Sequence, residues 1–336
     1  MPTGGKPHIT REQLRALHVS RALYRWFLRR FPEGGSYQAI HEALIGDGHS
    51  AWLESLVDYT YAHSFGALPF LEQELSSTRA MAAQLTHSQT EQLHITPRGQ
   101  ANGRFTPVLS CTLQFASSDH ALNIGCSGFQ SHLASTGNGN FIGQSGDNGS
   151  IASTGYGCQL VSSGFAAKMS NTGQNSRISG LGDRARIANC GNATKISSAG
   201  RGTHITNSGR RNYLASYGAS TRVANAGDSS HIHTQGAGSR ITNSGDNVTL
   251  QASGTDTIFC STGSVQQFTL GTGGCAALSY HDGKRLRFVT VYEGENGIVA
   301  GVAYRLTEQG KIEAIDDPLA DNTENQRLTP AHCING

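Results

Sequence analysis

The sequence predicts a mainly β protein: a two-sided parallel β-solenoid, with an N-terminal α-helical domain and a small antiparallel β cap at the C-terminal end. Three observations predict it. Glycine recurs every nine residues from Gly128 to Gly263 without a miss. Five residues after each glycine stands one large apolar side chain, from Leu133 to Phe268. Asparagine then returns at every second unit, at Asn171, Asn189, Asn207, Asn225 and Asn243. Fixed periods of this kind are the signature of stacked repeats. With that period in place, 42 glycines and an apolar share of only 37% in 336 residues mean a thin interior rather than disorder.

Each nine-residue unit can be read physically. With the glycine as position 1, glycine's tolerance of positive φ marks a corner. Positions 4 to 8 then form a short strand whose alternation sends 4, 6 and 8 inward and 5 and 7 outward. Position 6 is the large aliphatic residue, 4 and 8 are small, and 5 is long and polar. The apolar phase reaches back through Ile124 to Phe115, giving eighteen units across residues 107–270. Nine residues cannot close a coil, so two or three units must make one. The asparagine period of 18 residues selects two, because stacked coils put equivalent residues about 4.8 Å apart and amides can bond along the stack. Nine coils at that spacing make a rod roughly 40 Å long.

Residues 1–100 read as a helical domain for capping or oligomerisation. Thr10 and Gln13 form a capping-box pattern, followed by apolar residues at helical spacing up to Pro32. Ser36 and Ser50 are candidate caps of helices over about 37–46 and 51–64, and a further helix is expected from about Leu68 to Leu93. Tyr24, Trp26, Phe31 and Trp52 are candidate oligomer-interface residues, since aromatics anchor interfaces, although aromatics also build small cores. After Phe268 the period breaks. Residues 271–316 read as antiparallel strands with turns at Asp282-Gly283 and Asn296-Gly297, expected to cover the open solenoid end. Residues 317–336 read as a flexible tail.

The nonapeptides, as in Gly227-Asp-Ser-Ser-His-Ile-His-Thr-Gln, resemble the glycine-nonapeptide-repeat proteins of bacterial and prophage genomes. The segment from Cys275 to Ile315 is similar to the module that often follows such arrays. The resemblance covers about residues 130–315. It implies a β-solenoid and no established activity.

The composition narrows the chemistry. Seven cysteines without a CxxC pair argue against a disulfide framework or zinc site, and most read as small buried fillers. The first residues show no signal peptide and no stretch is long enough for a membrane span, so the expectation is a cytoplasmic protein. The repeats contain no Glu and no clustered carboxylates, which argues against hydrolytic catalysis. No catalytic residue, metal or cofactor is expected. Acids at the turns, such as Asp147, Asp183, Asp228 and Asp246, read as turn residues rather than calcium ligands. The surface signal lies at position 5. One face carries Lys168, Arg186, His204, Arg222 and Arg240, and the other Arg177, Lys195, Tyr213 and His231. Residues 128–263 hold ten Lys/Arg against five acids, whereas residues 264–336 hold six against nine. Two functions remain open. One is a binding or assembly scaffold that contacts another protein or its own copies. The other is an anion-binding module for nucleic acid or an anionic glycan.

Overall fold

The computed structural model of the chain describes residues 8–16, 19–47, 49, 52–64, 68–85, 92–97, 104–107 and 113–315. The expected Ser50 cap and the expected tail over 317–336 lie outside the described residues. Among the described residues, eighteen short strands, β5 to β22, run from Gln114–Ser117 to Val265–Thr269. They alternate between two parallel sheets, so each strand pairs with the one 18 residues away: Lys168 with Arg186, Ile187 with Ile205, Asn207 with Asn225. This is a two-sided solenoid of nine coils. Position 6 fills the interior as one continuous apolar column from Ile124 to Phe268.

The asparagine ladder forms as the period requires. The Nδ2 of Asn171 donates to the Oδ1 of Asn189 at 2.8 Å, and the same bond repeats to Asn207, Asn225 and Asn243 at 2.7–2.8 Å. Each of these amides also donates to the carbonyl two residues on, as Asn207 does to Gly209. Buried amides are therefore satisfied along the axis, where a small polar residue without such bonds would be costly.

The repeating glycine has a different cause from the one expected. It does not take positive φ. That conformation falls at position 3, where Asn148, Ala166, Arg184, Ala193, Arg211 and Ser220 have φ of 53–58°. The glycine is needed because turns stack backbone on backbone. A Cβ on Gly146, Gly164, Gly182 or Gly200 would sit 1.9–2.0 Å from the carbonyl oxygen of the glycine one coil below. The turn acids also bridge coils. Asp147, Asp183, Asp228 and Asp246 each accept, through Oδ1, the backbone N–H of the residue 18 positions later.

The helices are α1 (Arg11–Ala16), α2 (Arg21–Arg30), α3 (Tyr37–Gly46), α4 (Leu53–Ser64) and α5 (Leu68–Leu85). Thr10 and Gln13 exchange both bonds of the capping box, and Ser36 accepts the Ala39 N–H. A two-stranded antiparallel pair, β1 (His8–Ile9) with β2 (Gly35–Ser36), ties the start of the unit to the α2–α3 turn. The helix expected up to Leu93 is described as far as Leu85, and it does not reach Leu93. Gln92–Pro97 is strand β3, paired antiparallel with β4 (Arg104–Pro107) and with the first coil at Leu122–Cys126. That hairpin, not the helices, extends one sheet at the N-terminal end. The helical unit instead lies along the side of the solenoid. Its core cluster includes Phe27, Tyr37, Leu53, Tyr61 and Phe70 together with Phe141, Val161 and Ala215 from the coils.

At the other end β23 (Cys275–His281) continues one solenoid sheet, and β24 (Leu286–Tyr292) folds back on it through the Asp282-Gly283 turn. Asn296-Gly297 does not close a hairpin as expected. The chain there crosses to the opposite sheet, where β25 (Ala303–Leu306) pairs with Val265–Thr269 and with β26 (Ile312–Ala314).

Candidate functional site

The two outward faces, equivalent in the sequence pattern, have different fates. On one, strands such as Gln159–Ser162, Arg177–Gly180 and Lys195–Ser198 are buried at every position, because α3, α4 and α5 cover them. On the other, strands such as Lys168–Asn171, Arg186–Asn189 and Arg222–Asn225 alternate exposed and buried.

Arg177, Lys195 and His231 were expected to face a partner from solvent. The structure places Arg177 and Lys195 under the helical unit and leaves His231 half-buried. Arg177 is buried, its Nε 2.7 Å from the Glu74 carboxylate and its Nη1 2.8 Å from His41 Nε2. Its Nη2 donates to Thr78 Oγ1 at 3.2 Å. Glu74, fully buried, also accepts from Tyr37 at 2.6 Å and from Tyr61 at 3.0 Å. Burial works against the guanidinium charge, but Glu74, then Tyr37 and Tyr61, outweigh it and hold Arg177 charged above its ordinary range. Burial, reinforced by Arg177, pushes His41 well below the usual imidazole value, so it stays neutral. Lys195 pairs with Asp58 of α4. His231 stacks on Tyr213 with centroids 4.8 Å apart. His233, on the same strand, is buried and pushed down to about 4, chiefly by burial. Arg177 and Lys195 thus join two parts of one molecule.

The candidate interface aromatics are likewise internal to the helical unit. Trp26 is buried, donates through Nε1 to Asp47 at 2.8 Å, and touches the Phe31 and Trp52 rings. Tyr24, Phe31 and Trp52 are half-buried against the same core.

The other column remains. Lys168, Arg186, His204, Arg222 and Arg240 are exposed and stacked in register along one bare face. Among the described residues, none of Lys168, Arg186, Arg222 and Arg240 forms an ion pair. At about 5 Å separation the adjacent cations Lys168–Arg186 and Arg222–Arg240 each repel by about 1 kcal/mol even in water, a cost that an anionic ligand would remove. Beside the column run small exposed residues: Ala152, Ser170, Ala188, Thr206, Ala224 and Thr242. They leave shallow open grooves of about 560 Å³ against Lys168, Arg186 and His204, and about 470 Å³ further along. Arg184 and Arg201 border the face at the turns leading into it. Cys190 and Cys260 are exposed on this face rather than serving as buried fillers, whereas Cys126 and Cys158 are buried. Guanidinium groups in a fixed row suit phosphate, sulfate or carboxylate oxygens, which they bind through paired hydrogen bonds. Among the described residues, no group of three or more His, Cys, Asp or Glu side chains is placed to hold a metal ion.

Sequence reasoning missed Glu74, Asp58, His41, Tyr37 and Tyr61, which cover one face. A signal was present. Phe141 and Tyr213 are aromatic at outward position 5 and lie 72 residues, four coils, apart, and Val161 is apolar at outward position 7 of a strand in the same sheet.

The grip on the solenoid begins in the helices before residue 65, at Tyr37, His41, Asp58 and Tyr61. Residues 1–65 match the YdhT N-terminal domain family. The chain is also 42% identical over 118 residues to the uncharacterized protein YdhT of Escherichia coli. That similarity covers 35% of this chain, and the chain spans 36% of the length of that curated relative. No solved structure matches the chain. The YdhT N-terminal domain match thus falls on the region that buries one solenoid face. No helix among the described residues is long and apolar enough to cross a membrane.

Proposed function

We propose that the chain is a non-enzymatic binding scaffold whose bare solenoid face holds an anionic partner. One observation carries this reading. Of two basic columns, one is neutralised by carboxylates of the helical unit, and the other, from Lys168 to Arg240, forms no ion pair among the described residues. A protein that needed these cations only for solubility would have no reason to stack them in register, where they repel. The column runs along the coil axis, so it suits an extended partner with repeated negative charge: nucleic acid, an anionic glycan or an acidic protein surface.

The test is anisotropy titration of duplex DNA, single-stranded DNA and a sulfated glycan over a salt series. Salt-dependent binding to one of them is expected, with the slope of log affinity against log salt reduced by about one for each cation removed. An Arg186→Glu/Arg222→Glu variant should lose that binding while keeping its fold, because both side chains point to solvent. Absence of salt-sensitive binding to all three, or a double variant that binds as well as the parent, would overturn the reading.

A further inference from the structure

The C-terminal unit was expected to close the solenoid end, yet it leaves an edge. Strand β24 is the last strand of the eleven-stranded sheet, and among the described residues it pairs only with β23. It is seven residues long, with no proline and no bulge recorded in its pairing. Three of the four side chains on its outward face are apolar and exposed: Leu286 and Phe288 are each 54% exposed, and Tyr292 is 49%. Long apolar edges of this kind are what proteins normally blunt, because their unpaired N–H and C=O groups template another strand.

We infer that β24 pairs antiparallel with β24 of a second copy of this chain, about a two-fold axis at Val289. The flanking charges select this occupant. The residues before the strand are basic, Lys284 and Arg285, and those after it are acidic, Glu293 and Glu295. Antiparallel self-pairing centred on Val289 sets Arg285 opposite Glu293, twice by symmetry. It sets Leu286 opposite Tyr292 and Phe288 opposite Thr290, so each exposed apolar side chain gains a cross-strand neighbour. Parallel pairing in register would instead set Arg285 against Arg285. Among the described residues Arg285 forms no ion pair, so it is available. Glu293 accepts the Gly273 N–H through Oε2, which fixes its carboxylate at the strand end and leaves Oε1 for a partner. An isologous contact of this type closes after two copies and does not polymerise. It joins two solenoids end to end into one continuous sheet. The inference does not rest on the anionic-partner reading, which needs only one copy.

Sedimentation equilibrium on the full chain tests it. The parent should be dimeric at micromolar concentration. Arg285→Glu and Glu293→Arg should each weaken the dimer about ten-fold or more, because each reverses two symmetric contacts. An equimolar mixture of the two variants should regain dimers, since every cross-pair in the heterodimer is again opposite in sign. Phe288→Lys, on an exposed side chain that leaves the fold intact, should be monomeric and serves if a charge variant misfolds. A monomeric parent, a dimer indifferent to both reversals and to Phe288→Lys, or a mixture no more dimeric than its components would each overturn the inference. Any of these results leaves the salt-series binding of the bare face to be judged separately.

Discussion

Replacing Arg177 with methionine should loosen the helical unit from the solenoid. The side chains of Arg177 and Glu74 are 4% and 0% exposed, so the substitution strands a carboxylate away from water. Breaking a buried pair from one side costs about 3–5 kcal/mol. Here Glu74 keeps two phenolic donors, Tyr37 and Tyr61, which places the expected cost near the lower end, about 3 kcal/mol. His41 and Thr78 also lose their contacts with the guanidinium. Methionine conserves most of the volume, so little of the cost is cavity. A Glu74→Gln/Arg177→Met double variant removes the stranded charge. It should cost about 1 kcal/mol, giving a coupling of about 2 kcal/mol or more. Urea denaturation separates the parts, because both tryptophans, Trp26 and Trp52, lie in the helical unit, whereas far-UV circular dichroism is dominated by the strands. The fluorescence midpoint should fall well below the dichroism midpoint in Arg177→Met. The reasoning fails if the two probes stay coincident at the parent midpoint, or if single and double costs simply add.

Two further outcomes follow from the coils. Gly209→Ala should cost about 3 kcal/mol or more, because its Cβ would lie 2.0 Å from the Gly191 carbonyl oxygen and backbone cannot yield. Gly202→Ala, at φ 65° with only Arg184 Cγ within 4 Å, should cost only about 1 kcal/mol; thermal melts of the two variants distinguish stacking from φ as the cause of the repeat glycine. The buried His233 sets a pH dependence. Its folded value is pushed down to about 4, mainly by burial against an opposing bond from Gln251, while an unfolded histidine titrates near about 6.5. Between these values the unfolded chain binds more protons, so stability is complete above about pH 6.5 and falls as pH is lowered. His233 alone accounts for a loss on the order of 3 kcal/mol by pH 4, and His41 shifts in the same direction. Urea midpoints measured down that range should fall less steeply for His233→Gln than for the parent; parallel curves would refute the assignment.

The repeat made the solenoid legible because each coil reports on the same geometry. The asparagine period in particular separated two faces from three, and the ladder from Asn171 to Asn243 is the physical reason. Exposure was harder to read. Position 5 looks alike on both sides, and whether Arg177 or Arg186 meets water depends on contacts from residues about a hundred positions away. Local periodicity carries no information about such contacts. The apolar outliers Phe141, Val161 and Tyr213 do carry it, but only when read in the 18-residue phase. The glycine misassignment has a similar origin: a residue without Cβ satisfies either positive φ or close approach, and only the stacked carbonyl distances show which one applies.

The division of labour between the two sides limits how such a rod can change length. A single nine-residue insertion would carry every later strand to the opposite side. Placed ahead of Lys168, it would turn Lys168 and Arg186 beneath the helices and deliver Arg177 and Lys195 to solvent, and Glu74 would lose its guanidinium partner. Placed inside the amide ladder instead, the insertion would set Ser198 or Ser216 in line with an asparagine in place of its own partner. Viable gains and losses in this architecture therefore come in whole coils of 18 residues. Coils added beyond the docking segment lengthen the basic row without disturbing the helices, so the reach of the bare face can be adjusted independently of the attachment that holds the molecule together.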